Sequence, residues 1–228
     1  MRRNAFDDIA YKYDEALPIH ISKHYLEKRV CFLERYLKPD CKVLDVGCGT
    51  GRLISHLLCG DKLGAYACDS SFEMLKIASK RGDIRTACCL SDRLPYAQNT
   101  FDIVISVAVF HHLTSEAAAV RTVQEMIRIA RPGGKAIIWD ANSLNPYWRL
   151  LFKKIPHDRD VKRVIPLSKM INGAKKLNIS GVEVLKSGWV PDFAPRKILS
   201  FFKLFEYIME RTPLIRLFSA HNIIVLTK

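Results

Sequence analysis

Short apolar runs alternate with amphipathic stretches along the first two thirds of the chain. Val43, Leu44 and Val46 stand together before a glycine-rich stretch, and comparable runs recur at about 64–68, 84–88, 101–107 and 135–139. Each has strand length, and the segments between them read as helices. Upstream, residues 20–37 carry Ile21, Tyr25, Val30, Leu33 and Leu37 at near-helical spacing among Lys and Glu, which predicts a helix lying on the core. A helix over about 116–130 is expected to end at Pro132-Gly133-Gly134, which turns the chain into the next strand. Such β-α alternation is the pattern of a parallel sheet. Beyond Asp140 it lapses: 143–178 reads as irregular or helical, 181–187 as a strand, 195–210 as a helix and 221–227 as a closing strand.

With 228 residues, a single domain with a substantial core is expected. Although 49% of the residues are hydrophobic, no apolar run has the length of a spanning helix. The charged start, Met1 to Asp8, has no apolar segment of a signal peptide, so no export is expected. Seven cysteines, at 31, 41, 48, 59, 68, 88 and 89, are odd in number and lack C-x-x-C spacing. They read as packed thiols of a protein in a reducing cytoplasm, with no metal.

Charge changes the picture in the C-terminal part. Residues 146–228 hold 16 Lys or Arg against 6 Asp or Glu, which is nearly all of the net charge of +13. The same region is apolar, with Tyr147, Trp148, Trp189 and the run Phe201-Phe202-x-Leu204-Phe205 among its basic residues. This mixture suits an amphiphilic acceptor with an anionic group, or peripheral contact with an anionic membrane. The alternative is a solvated basic face over ordinary helix core. Nucleic acid is the competing partner for so basic a chain, but no separate RNA-binding module is visible.

The candidate chemistry centres on Val43-Leu-Asp-Val-Gly-Cys-Gly-Thr-Gly51. Gly47, Gly49 and Gly51 allow a sharp turn and close approach to a ligand. Asp45, two residues before the first glycine, is a poor neighbour for the pyrophosphate of a dinucleotide. S-adenosylmethionine brings a sulfonium and an ammonium instead, and charge complementarity favours it. The spacing also departs from G-x-G-x-x-G, since Arg52 follows the last glycine. Asp69 ends the next apolar run, at the distance where a carboxylate meets ribose hydroxyls. Ser70 or Ser71 then caps a helix bearing Met74, which either packs on an adenine face or belongs to the core.

Together these pieces resemble the class I S-adenosylmethionine-dependent methyltransferases, in particular the small-molecule group that includes the ubiquinone and menaquinone biosynthesis enzymes. The resemblance covers roughly residues 5–140. It adds Phe6-x3-Ala10-x2-Tyr13-Asp14, Leu94-Pro95-Tyr96, Phe101-Asp102-Ile103-Val104, His111-His112-Leu113 and Arg131-Pro132-Gly133-Gly134 to the segments above. It implies an α/β fold: a doubly wound, Rossmann-like, seven-stranded, mostly parallel sheet with helices on both faces and a helical C-terminal lid. Within 1–228, it implies N-terminal capping helices (1–40), a cofactor-binding core (41–142), an acceptor-side lid insertion (143–180) and closing strands with a lid helix (181–228).

For the site, the resemblance places Asp45, Gly47, Cys48, Gly49, Thr50 and Gly51 at the methionine end, Asp69 and Ser70 at the ribose, and Tyr13 over the cofactor. Ser106 and Val107 are expected to reach the methionine moiety. Many relatives have an aspartate where this chain has Leu90, so adenine recognition is expected from backbone near Leu90 and Ser91, with Asp92 as substitute or as a solvated carboxylate. His111 or His112 is the candidate general base for an acceptor that must lose a proton, one of the two at most facing the site; the alternative is a structural histidine. Asp140 and Asn142 are weaker acceptor-side candidates, and Tyr147, Trp148, His157 and His221 weaker still. The function so implied is methyl transfer to a small, partly apolar acceptor. Its rivals are an RNA methyltransferase, a non-catalytic S-adenosylmethionine-binding protein and an NAD-dependent oxidoreductase.

Overall fold

The computed structural model describes residues 6–58, 63–148, 164–175, 177 and 179–228. Seven strands, β1 Lys42–Val46, β2 Gly64–Asp69, β3 Ile84–Cys88, β4 Phe101–Val107, β5 Ala130–Ala141, β6 Gly181–Ser187 and β7 His221–Thr227, form one sheet. Their order is β3-β2-β1-β4-β5-β7-β6. The first five pair in parallel, and β7 runs antiparallel between β5 and β6. This is the doubly wound α/β sheet expected from the alternation of apolar runs. The helices are α1 Ile19–Glu34, α2 Arg52–Leu57, α3 Phe72–Ala78, α4 Glu116–Ile129, α5 Leu167–Lys175 and α6 Leu199–Arg211.

Strand periodicity sorts the core into two layers. Val43, Ile103, Ile105, Ile137, Trp139 and Val225 face one way and pack with Leu26 and Leu33 of α1 and Ile54 of α2. Leu44, Val46, Val104, Ile138, Ile224 and Leu226 face the other way, under Val123 and Met126 of α4 and Met170 of α5. Burying each such side chain contributes about 1.5–3 kcal/mol. Local signals agree with the packing: Ser71 accepts from Met74 N at 3.2 Å to cap α3, and Ser115 accepts from Ala118 N at 3.1 Å to cap α4.

Three expectations are corrected. α4 stops at Ile129, and Arg131-Pro132-Gly133-Gly134 lies within the start of β5 instead of forming a free turn. The pairing with β4 skips there from Phe101↔Ala130 to Ile103↔Lys135, where Gly133 takes φ +75° and a Cβ on Gly134 would fall 2.9 Å from the Asp102 carbonyl oxygen, so no side chain fits. α5, inside the stretch read as an acceptor-side insertion, packs its Met170 and Ala174 into the core beside α4. Cys31 and Cys88 are exposed instead of packed; Cys59 lies outside the described residues, as does His157.

β1 and β4 are neighbours from which the chain winds in opposite directions. The crevice of a doubly wound sheet opens at the C-terminal ends of such a pair. Among the described residues, no helix is long and apolar enough to cross a membrane.

Candidate active site

Asp45 is the last inward residue of β1 on its face, level with Ala67 and Ile105 of the adjoining strands. Beyond it the glycine loop folds back on β2, with Gly47 N donating to the Cys68 carbonyl at 2.8 Å and Cys48 N to the same carbonyl at 3.1 Å. Gly47 takes φ +74°, and a Cβ there would fall 2.3 Å from Val109 Cγ2, so this turn requires glycine. Gly49 N donates to Asp69 Oδ2 at 2.9 Å and Ser71 N to Asp69 Oδ1 at 2.8 Å, which ties the loop to the end of β2.

The N-terminal segment closes over this loop. Tyr13 and Asp14 lie on a 3-10 helix, Ala10–Glu15. Thr50 Oγ1 donates to Asp14 Oδ1 at 2.7 Å, Arg81 pairs with the same carboxylate, and Ser71 Oγ donates to Asp7 Oδ1 at 2.6 Å.

Two cavities result, of about 270 and 350 Å³. Tyr13, Gly47, Gly49, Ala108 and His112 line both, so the cavities adjoin across the loop. The larger one is bounded by Asp69, Ser70, Met74, Leu90, Ser91 and Asp92. Met74 is both buried in the core and part of that wall. Asp92 is held by Arg121 at 2.8 Å, and Ser91 Oγ lies 3.0 Å from Thr122 Oγ1. The smaller cavity takes in Asp45, Cys48, Thr50, Val107 and His111, with Arg29, Tyr25, Trp148, Asp192 and His221 opposite.

Two expected site residues line neither cavity. Ser106 is fully buried on the α4 side of β4, with an Oγ that has no hydrogen-bond partner among the described residues. Gly51 takes φ +76° to start α2, and a Cβ there would lie 2.7 Å from Ala78 Cβ, so its place is the contact between α2 and α3. Conversely, both His111 and His112 line the smaller cavity, where only one was expected. They sit on a 3-10 helix, Phe110–His112, whose tight turn does not separate neighbours as a strand would.

The electrostatics of the smaller cavity are unusual. Burial, followed by the nearby Asp69 charge, raises the Asp45 pKa to about 7, against the lowering influence of Arg29. Burial also raises Asp69, partly offset by the N–H groups of Ser71, Gly49 and Ser70. Asp140, by contrast, stays below its ordinary value: burial would raise it, but His111 and the Ala141 and Phe110 N–H groups outweigh that. Its Oδ1 lies 2.8 Å from His111 Nδ1, and its Oδ2 accepts from Phe110 N at 2.7 Å. Burial, then Arg29, holds His221 down to about 3, so it is neutral. Tyr25 Oη lies 2.6 Å from Asp192 Oδ1, and burial followed by that carboxylate raises its pKa.

Arg29 carried no motif in the sequence; only its place on the inner face of α1 reveals it. Burial lowers its pKa, opposed by Tyr25, Tyr13, Asp140 and Asp45, and its guanidinium lies over the Tyr25 ring, 5.9 Å from the centroid. Asn142 has a structural place: its Nδ2 donates to the Leu217 and Ser219 carbonyls, each at 2.8 Å. No group of three or more His, Cys, Asp or Glu that could hold a metal ion occurs among the described residues.

Sheet order, glycine loop and adjoining cavities at the strand ends define a class I methyltransferase fold. Residues 44–138, less than half of the chain, match the family model described as a methyltransferase domain. A mouse protein named "Probable tRNA methyltransferase 9B" is 33% identical over 102 residues, 45% of this chain and 22% of that protein. The demethylmenaquinone methyltransferase of Paenarthrobacter aurescens is 30% identical over 152 residues, covering 64% of this chain and 58% of the relative. The chain thus spans less than two thirds of the length of these curated relatives. A solved S-adenosylmethionine-dependent methyltransferase from Thermotoga maritima shares the fold at a TM-score of 0.71, with 17% identity and coverage of 98% and 97% of the two chains.

The residues present fit S-adenosylmethionine as a ligand. A buried carboxylate whose pKa is raised to about 7, beside a second raised carboxylate, is stabilised by an incoming cation and opposed by a phosphate.

Proposed function

We propose that the chain transfers a methyl group from S-adenosylmethionine to a small, partly apolar acceptor that carries an anionic group. The observation that carries this reading is the adjoining pair of cavities, one lined by Asp69 and Met74 and the other by Asp45, Arg29 and His111. In this reading Asp69 and Ser70 take the ribose, Met74, Leu90 and Ser91 the adenine, and Tyr13 covers the middle. Gly47, Cys48, Gly49 and Thr50 follow the backbone toward the methionine end, whose ammonium meets Asp45 and whose carboxylate meets Arg29. The cofactor supplies an activated methyl group on a positively charged sulfur.

The chain's own residues then position and desolvate the acceptor. The enclosure by Tyr25, Trp148, Asp192 and His221 leaves room for a modest, partly apolar molecule. Asp140 acts as a positioning residue: with His111 Nδ1–H donating to it, Nε2 is left as the proton acceptor. An acceptor already ionised needs no such base, whereas a neutral hydroxyl gives its proton to His111. The six described cysteines are all free, which fits a reducing cytoplasm.

A second reading, RNA as acceptor, is favoured by the relatives named as tRNA methyltransferases and by the net charge of +13. Incubation with methyl-labelled cofactor and fractionated cell extract separates the two. Label in a small organic-soluble or anionic fraction supports the first reading; label that ribonuclease releases replaces it with the second. Labelling of neither fraction, with cofactor bound, leaves a non-catalytic binding protein as the function.

A further inference from the structure

Helix α6 is built inside out. Its buried side chain is a carboxylate: Glu206 is 4% exposed and accepts from His24 Nε2 at 3.0 Å, Lys28 Nζ at 2.9 Å and Trp189 N at 2.8 Å. One turn on, Glu210 takes Lys28 Nζ at 2.5 Å and Gly188 N at 2.7 Å. These bonds fix which face of the helix meets α1. Leu199 and Phe202 pack partly against Ile21 and Val190, while the remaining apolar surface is turned out, with Phe201 64%, Leu204 58% and Ile208 48% exposed. Exposure continues into the 3-10 helix Leu214–Phe218, where Leu214 is 78% and Phe218 50% exposed. A helix at the surface of a globular protein ordinarily turns such a stripe toward the core.

The charges on this outward face all have one sign. Arg196, Lys197, Lys203, Arg211 and Arg216 are exposed, whereas both acidic residues of α6 are consumed inward. We propose that α6 and the following 3-10 helix seat the protein on an anionic lipid bilayer, with the aliphatic and aromatic side chains at the acyl boundary and the basic ones among the headgroups. A second copy would bring the same positive face against itself. RNA would satisfy the charges but leave Leu204, Ile208 and Leu214 without a complement, since aliphatic side chains offer bases no stacking face. The inference stands on the helix orientation and charge, and is independent of the acceptor reading.

Sedimentation of the full chain with vesicles tests it, using phosphatidylcholine alone and phosphatidylcholine mixed equally with phosphatidylglycerol. Binding to the anionic vesicles is expected to be at least about tenfold stronger, and to weaken with added salt. Leu204→Glu with Ile208→Glu, and separately Lys203→Glu with Arg196→Glu, should each cost about tenfold or more in that binding. Far-UV circular dichroism and affinity for S-adenosylhomocysteine should stay as in the wild type, because these residues line neither cavity. Equal or absent binding to the two vesicle types overturns the proposal. So does wild-type vesicle binding by both folded variants, a dimer that the Leu204 and Ile208 changes split into monomers, or retention of RNA without retention of vesicles.

Discussion

Asp45 concentrates the chemistry of the site in one titration. Its pKa is raised to about 7 by burial and by Asp69, so the ligand-free protein holds a proton there through the acidic range. Its contribution to stability is therefore full below the ordinary carboxylate pKa and is lost as the pH rises through about 7. In the proposed binding mode the affinity for cofactor has the opposite dependence, because the ammonium needs the ionised carboxylate. Affinity for S-adenosylhomocysteine, followed by calorimetry, should rise about tenfold per pH unit up to about 7 and level off above it. Asp45→Asn should weaken binding and flatten that profile; an unchanged profile in the variant would move the titration to another group. At the acceptor side, His111→Ala should lower kcat by about 10²–10⁴ with a hydroxyl acceptor. Asp140→Asn should reduce kcat less while displacing the pH dependence, as expected of a residue acting through His111. Part of the cavity lining was legible: Asp45, Asp69, Gly47 and Gly49 stand out by type and spacing, and all four line the two cavities. Arg29 was not legible, because a lone Arg on a helix among Lys and Glu reads as solvated until the fold turns it into the cavity.

Strands were the most legible elements, since an apolar run of strand length between polar segments has one economical fate in an α/β sheet. The start of β5 was less so, because Pro132-Gly133-Gly134 is turn chemistry that the sheet accommodates as a bulge against β4. Orientation was hardest to read. The periodicity of α6 identifies a helix but leaves open which side meets the protein, and the decision rests with His24 and Lys28, far away in α1. Burial alone would raise the Glu206 pKa, yet the His24 and Lys28 contacts and the Trp189 N–H bring it down to about 2. The clasp contributes stability above the ordinary glutamate pKa and loses it as the pH falls toward about 2. Glu206→Ala leaves buried donors without their acceptor and should destabilise the fold by about 3–5 kcal/mol in urea unfolding near neutral pH. The difference between variant and wild type should shrink on acidification toward pH 3. Gly51→Ala tests a different contact: with φ +76° and Ala78 Cβ only 2.7 Å from the added carbon, it should cost about 1–3 kcal/mol. Cofactor specificity should survive that change, since Gly51 lines neither cavity.

At the scale of the whole molecule, the adjoining cavities couple parts of the chain that are distant in sequence. Tyr13 comes from the N-terminal 3-10 helix, Gly47 and Gly49 from the β1 loop, Ala108 and His112 from the end of β4, and all five line both cavities. Asp7 and Asp14 tie the same N-terminal segment to Ser71, Thr50 and Arg81. A ligand filling both spaces therefore contacts elements that must all be folded at once, so its binding energy adds to the global stability by mass action. At a hundredfold excess over Kd, S-adenosylhomocysteine should contribute about 2.7 kcal/mol. For a chain of 228 residues that corresponds to a rise in Tm of about 5–10 °C. Methylthioadenosine, which lacks the ammonium and carboxylate, should give a smaller shift, and Arg29→Ala should bring the two ligands closer together. NADH should give none, because its pyrophosphate would meet Asp45 and Asp69 where S-adenosylhomocysteine presents an ammonium and a ribose. A shift with NADH and none with S-adenosylhomocysteine would mean that the paired carboxylates do not select the ligand, and the assignment of both cavities would fall with them.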